Sequence, residues 1–243
     1  MRNIVLLILL SLILTASSAQ EKDQLKPSIS LKWVPTGLIV GNMSLQGEYG
    51  FSKRASLTAK IGVPAKMKRT FQYQNKDTDF DMRAFSFLAG YRMYFGNKHL
   101  SGIYLEPYFK YVYHTTEGTG NGFLNNKPST FNFSNEYNGV GIGAQLGVQF
   151  LFSRRFVVDL FLIGPEINSA TNNFKAVEIS STVPWNTMET MDAQQDIQKF
   201  VDQFPFIRKR INLMVDKNNR TVAGQFKGAL PGFRTGISFG LAF

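Results

Sequence analysis

The chain of 243 residues has no cysteine and carries 27 Lys and Arg against 17 Asp and Glu, a net charge of +10. No disulfide can brace it and no thiolate can act as nucleophile or metal ligand, and its two histidines make no zinc constellation. A basic balance of this size suits anionic partners.

The first residues state an address. Arg2 supplies a positive start, positions 4–14 are almost unbroken apolar sequence, and Ser17, Ser18 and Ala19 offer small residues for cleavage. About ten apolar residues fall short of the roughly 20 that a membrane-spanning helix needs, so residues 1–19 read as a removed signal peptide. Residues 20–27 then form a short N-terminal segment, and no cysteine follows that would take a lipid anchor. The longest later apolar run, 156–163, is interrupted by Asp159, which excludes a helical membrane protein. An exported chain meets the phosphates of lipopolysaccharide before it meets DNA, so lipid contact is expected and nucleic acid is not.

From Ile29 onward apolar residues alternate, in segments bounded by Gly, Asn, Ser and Lys turns. Eight segments follow in order. One face collects Ile29, Leu31 and Trp33, then Met43, Leu45, Tyr49 and Phe51, then Leu57, Ala59, Ile61 and Val63. It continues with Phe85, Phe87, Ala89, Tyr91, Met93 and Phe95, and with Ile103, Leu105, Phe109, Tyr111 and Tyr113. The sixth segment gives the alternate residues from Val140 to Phe152, and the seventh gives Phe156, Val158, Leu160 and Leu162. The eighth closes the series with Thr235, Ile237, Phe239, Leu241 and Phe243.

The opposite face is small or charged: Gly141, Gly143, Gln145, Gly147 and Gln149 on the sixth segment, Arg234, Gly236, Ser238, Gly240 and Ala242 on the last. A soluble barrel would bury its large apolar residues, whereas here they are too numerous to fill a small interior, so they must face lipid. The expected fold is therefore an all-β, antiparallel, up-and-down transmembrane β-barrel of eight strands spanning residues 28–243. Its lumen would hold Lys32, Glu48, Lys60, Arg92, Glu106, Lys110, Asp159 and Arg234, paired into a structural network, with a proton or ion relay as the alternative.

The connections alternate as well. Short ones fall at 52–54, 96–101 and 153–155, long ones at 64–80, 117–131 and 166–228, with a tight first one at 35–41, as periplasmic turns and outer loops do. Phe51, Phe95, Phe152, Phe156 and Phe243 all lie beside the short turns, forming one aromatic girdle.

The hairpin GNMSLQGEYGFSKRASL, the strand YLEPYFKY and the ending GALPGFRTGISFGLAF resemble those of outer-membrane barrels of Bacteroidota, and the architecture is similar to the OmpA and OmpX barrels. The resemblance spans roughly Ile29 to Phe243. It implies insertion by the barrel-assembly machinery through the terminal aromatic residue, and it transfers no catalytic residue.

Other motifs are weak. His99 sits in a short turn, and His114 lies at the outer rim beside Thr115, Thr116 and Glu117 without a partnering serine, which does not make a triad. Asp77, Asp79 and Asp81 open like a calcium loop, but Met82 replaces the turn glycine and Leu88 the bidentate glutamate. Gly118, Gly120 and Gly122 precede no helix that could bind phosphate and read as a flexible outer loop.

Between 167 and 228 the period changes. Ile197, Phe200, Val201 and Phe204 make an amphipathic helix that Pro205 ends; 211–215 and 222–226 make a short hairpin about the turn 216–219. This long extracellular segment is a capped loop, a plug or a docking surface, and Arg208, Lys209 and Arg210 form its basic corner toward lipid phosphates. The expected function is a non-enzymatic envelope scaffold, adhesion or interaction protein without a cofactor, with an envelope protein as a further partner. The alternatives are an enzyme using His114, a narrow channel, and a subunit of a secretion machine.

Overall fold

The structure is a computed structural model that describes residues 28–73 and 76–243, so the expected signal peptide and the segment 20–27 lie outside the described residues. Ten strands form. The first three are short: β1 (Ile29–Val34), β2 (Asn42–Gly50) and β3 (Ala55–Pro64). A small outer strand, β4 (Met67–Tyr73), precedes four long ones: β5 (Lys76–Tyr94), β6 (Gly102–Leu124), β7 (Lys127–Phe152) and β8 (Phe156–Glu178). Two helices, α1 (Thr187–Asp202) and α2 (Pro205–Arg208), then lead to β9 (Ile211–Asp216) and β10 (Thr221–Ala242).

Strands β1, β2, β3, β5, β6, β7, β8 and β10 pair in that order, each antiparallel to the next, and β10 pairs back onto β1 through Ser30↔Ala242 and Trp33↔Phe239. The result is a closed eight-stranded up-and-down barrel of the transmembrane kind, and closure removes the exposed edges that an open sheet would leave. The period of two sorts the side chains as the sequence leads one to expect. Leu31, Trp33, Leu45, Leu57, Ile61, Phe87, Phe109, Ile142, Phe150, Phe239 and Leu241 stand exposed on the outside, while Ser30, Lys32, Gln46, Glu48, Ser56, Arg92, Glu106 and Asp159 are buried inside. Phe51, Phe95, Phe152, Phe156 and Phe243 are all exposed at the short-turn end. Among the described residues no helix is long and apolar enough to cross a membrane.

The wall is uneven. Strands β1, β2 and β3 have 6, 9 and 10 residues, whereas β5, β6, β7, β8 and β10 have 19, 23, 26, 23 and 22. Above the apolar band the long strands continue as one open sheet, with β4 added to β5 and β9 to β10. Most of the expected long loops are therefore strands. The segment 117–131 is hairpin apart from a tight turn at Asn125 and Asn126, both at positive φ, so Gly118, Gly120 and Gly122 belong to β6 rather than to a flexible loop. Likewise β8 runs on to Glu178, and the second arm of the expected short hairpin is the first part of β10 itself. Phe80, Phe133 and Phe174 form a row on the face of this sheet that continues the lumen side, with ring centroids 6.3 and 6.4 Å apart. Phe80 lies over Gly118, where a Cβ would come within 2.6 Å of its ring.

At the low side, a 3-10 turn (Pro35–Val40) ends on Gly41 in the left-handed region, φ 75°. The Gly41 carbonyl accepts the N–H groups of Ala65 and Ala84, both at 2.9 Å. This joins the top of β2 to the place where β5 exchanges its partner β3 for β4. A Cβ at Gly41 would meet the Met82 carbonyl oxygen at 2.3 Å.

Helix α1 caps the tall side. Asn186 Oδ1 accepts the Glu189 N–H at 2.9 Å and Glu189 Oε2 accepts the Asn186 N–H at 3.0 Å, a reciprocal cap of about 1 kcal/mol. The helix lays Ala193 and Ile197 onto Leu124, Phe131, Val215, Val222 and Trp185. Each fully buried large apolar side chain there contributes about 1.5–3 kcal/mol. Val201 is also buried, but Phe204 is exposed; α1 stops at Asp202, before Pro205, which opens the separate short α2.

Candidate functional site in the barrel lumen

Inward-facing positions of eight strands converge on a narrow interior. In its lower half, nearer the short turns, Lys32 Nζ donates to Glu48 at 2.7 Å, to Asp159 at 3.1 Å and to Gln149 at 2.8 Å. Arg92 bridges Glu106 at 2.7 Å, Asp159 at 3.0 Å and Glu48 at 3.3 Å, with its guanidinium 3.7 Å from the Tyr104 ring centroid. All five ionised side chains have no exposed surface. Hydroxyls complete the shell: Ser56 and Tyr94 donate to Glu48, Tyr104 to Asp159 and Thr58 to Glu106, while Gln145 Nε2 donates to Glu106. Charges taken out of water survive only when paired and hydrogen-bonded in this way.

The floor is closed too. Leu100, in the turn between β5 and β6, is buried, and its carbonyl accepts Gln149 Nε2 at 2.9 Å. His99 of the same turn packs by Gly50.

The upper half differs in balance. Lys110 pairs with Glu166, which also accepts from Tyr108 at 2.9 Å and from Asn168 at 3.3 Å. Lys60 and Arg234 face this group but form no ion pair among the described residues; Arg234 instead lies 5.4 Å from the Tyr108 ring centroid and 4.7 Å from that of Phe161. Of the eight charged residues expected in the lumen, five therefore join in one network, Lys110 finds a partner outside the set, and Lys60 and Arg234 remain without a carboxylate.

Glu166 was hidden by a bulge. The β7–β8 register shifts between Leu146 and Gly147, leaving Leu162 and Ile163 both on the outside. An unbroken alternation from Asp159 would have put Glu166 on the lipid face. Tyr94, Tyr104 and Tyr108 were legible in principle, since they share parity with Arg92, Glu106 and Lys110, but a tyrosine on either face of a barrel strand is unremarkable by type.

Elsewhere, His114 has a buried Nε2 with no hydrogen-bond partner among the described residues. No group of three or more His, Cys, Asp or Glu among the described residues could hold a metal ion. Asp79 and Asp81 lie in β5, with Asp81 paired to Lys66 at 2.9 Å. Arg208, Lys209 and Arg210 are exposed at the end of α2, with Arg210 lying over Gly228, a residue on the lumen side of β10.

No protein-family model matches the chain, and no curated protein is significantly similar to it. Among solved structures it resembles the crystal structure of Acinetobacter baumannii CarO, with 10% identity and a TM-score of 0.44, over 91% of this chain and 100% of that one. A likeness this distant leaves the functional reading to the chain's own geometry.

Proposed function

We propose that this chain is a non-conducting outer-membrane barrel that presents its long-strand sheet and α1 on the cell surface as an interaction module for the envelope. The observation that carries this reading is the contrast between the two ends. The lower lumen is filled by five charged side chains without exposed surface, whereas the upper strands and α1 are held together by an apolar cluster of their own. Investing some dozen residues per long strand beyond the apolar band is unnecessary for insertion alone, and binding functions are commonly placed on such outer elements.

In this reading the apolar exterior meets lipid and lipopolysaccharide, the barrel-assembly machinery inserts the chain, and an envelope protein or surface ligand meets the upper sheet. Affiliation with the Bacteroidota barrels, which the hairpin and terminal motifs resemble, belongs to the same proposal. The test is a cell in which residues 187–208 are replaced by a short Gly/Ser linker. Envelope integrity, read as detergent sensitivity, should fall as it does on loss of the whole gene, although the barrel still assembles; wild-type resistance in that strain would contradict the proposal.

A further inference from the structure

The lumen is divided by charge. Its lower layer sets Lys32 and Arg92 against Glu48, Glu106 and Asp159, an excess of one carboxylate. Its upper layer sets Lys60, Lys110 and Arg234 against Glu166 alone, an excess of two cations. The lower carboxylates do not correct this, because Glu106 is already engaged by Arg92, Thr58 and Gln145. Glu166 is likewise occupied by Lys110, Tyr108 and Asn168. Both terminal nitrogens of Arg234, Nη1 and Nη2, are buried without a hydrogen-bond partner among the described residues, so its planar fork of donors lies near the rings of Tyr108 and Phe161 with no acceptor. Burying such a group without a counter-charge is strongly unfavourable.

We infer that the upper lumen is an oxyanion site, in which a carboxylate, phosphate or sulfate group sits against Arg234, Lys60 and Lys110. The guanidinium supplies paired donors matched to two oxygens of such a group, and the two ammonium groups supply charge around it. The ligand arrives from the long-strand end, since Leu100 and the lower ion network close the other. Arg208, Lys209 and Arg210 add positive potential along the way, which raises the encounter rate of anions.

The test is isothermal titration of the refolded full barrel in a zwitterionic detergent at fixed ionic strength, with inorganic phosphate in one arm and dihexanoyl phosphatidic acid in the other. Saturable binding of at least one probe is expected, weakened about tenfold or more by Arg234→Gln and by Lys60→Gln. Binding of inorganic phosphate assigns the site to free anions; binding of the lipid alone assigns it to a headgroup. The triple variant of Arg208, Lys209 and Arg210 to Gln should keep the equilibrium affinity. Heat-modifiable migration checks that each variant is folded, and Lys60→Gln, which breaks no hydrogen bond, carries the test should Arg234→Gln fail to assemble. Absence of saturable binding of either probe, or wild-type affinity in Lys60→Gln, would overturn the inference.

Discussion

Lys32 on β1 and Asp159 on β8 meet at 3.1 Å across the lumen although they stand 127 positions apart in the chain. The contact exists only when β10 has closed the ring onto β1, so the ion network and barrel closure stabilise one another. Removing one member strands the others in a dry interior. Glu48→Gln should therefore lower stability by about 3–5 kcal/mol in urea unfolding of the lipid-reconstituted barrel. A change within experimental error would mean that the network is not structural.

The same network bars the pore. Planar-bilayer recordings of the wild type should show no steady conductance, because eight strands leave room only for side chains. Replacing both Arg92 and Gln149 with Ser should admit a small ion current. A stable large conductance in the wild type would be incompatible with the packing of Leu100, Tyr104 and Arg92.

Gly41→Ala tests the joint between the low wall and β5. The residue would need a positive φ of 75° and would press its methyl group on the Met82 carbonyl. The expected loss exceeds about 1 kcal/mol, with increased hydrogen exchange at Ala65 and Ala84, whose N–H groups the Gly41 carbonyl accepts. Unchanged protection at those two amides would remove the joint from the account.

The turn between β9 and β10 should respond to acid. The side-chain amide of Asn219, then its backbone N–H and that of Asn218, donate to Asp216 and hold its carboxyl below the ordinary value of 3.8. A lowered pKa means that the contribution to folding is complete above the ordinary value and is lost as pH falls through the lowered one. The NMR resonance of the Asn219 side-chain amide should thus stay constant through mildly acidic pH and shift only below the ordinary aspartate range. A shift centred at or above that value would contradict the turn geometry.

The half of the barrel that meets lipid was readable because its two faces have opposite solvents, and each strand writes that contrast as an alternation. Leu57, Ile61 and Phe87 on one side and Glu48, Arg92 and Glu106 on the other fall where the period places them. The upper sheet was unreadable for the converse reason. Around Thr115 to Gly122 most residues are polar or glycine, neither face needs a hydrophobic set, and strand structure is imposed by β5 and β7 pairing from both sides. The site lost Glu166 to a bulge, since one extra residue reverses the inside and outside of everything beyond it. What the sequence could not display in Lys60 and Arg234 was the lack of a partner, which depends on who arrives opposite them across the ring.

The central claim, a barrel crossing the outer membrane with its long strands outside, is tested most directly by cysteine labelling, because the native chain has no cysteine to interfere. Asn218→Cys probes the exposed β9–β10 turn and Lys98→Cys the exposed β5–β6 turn at the opposite end. A membrane-impermeant maleimide applied to intact cells should label Asn218→Cys and spare Lys98→Cys until the envelope is opened. Labelling of Lys98→Cys alone on intact cells would invert the topology, and labelling of neither until lysis would place the protein elsewhere.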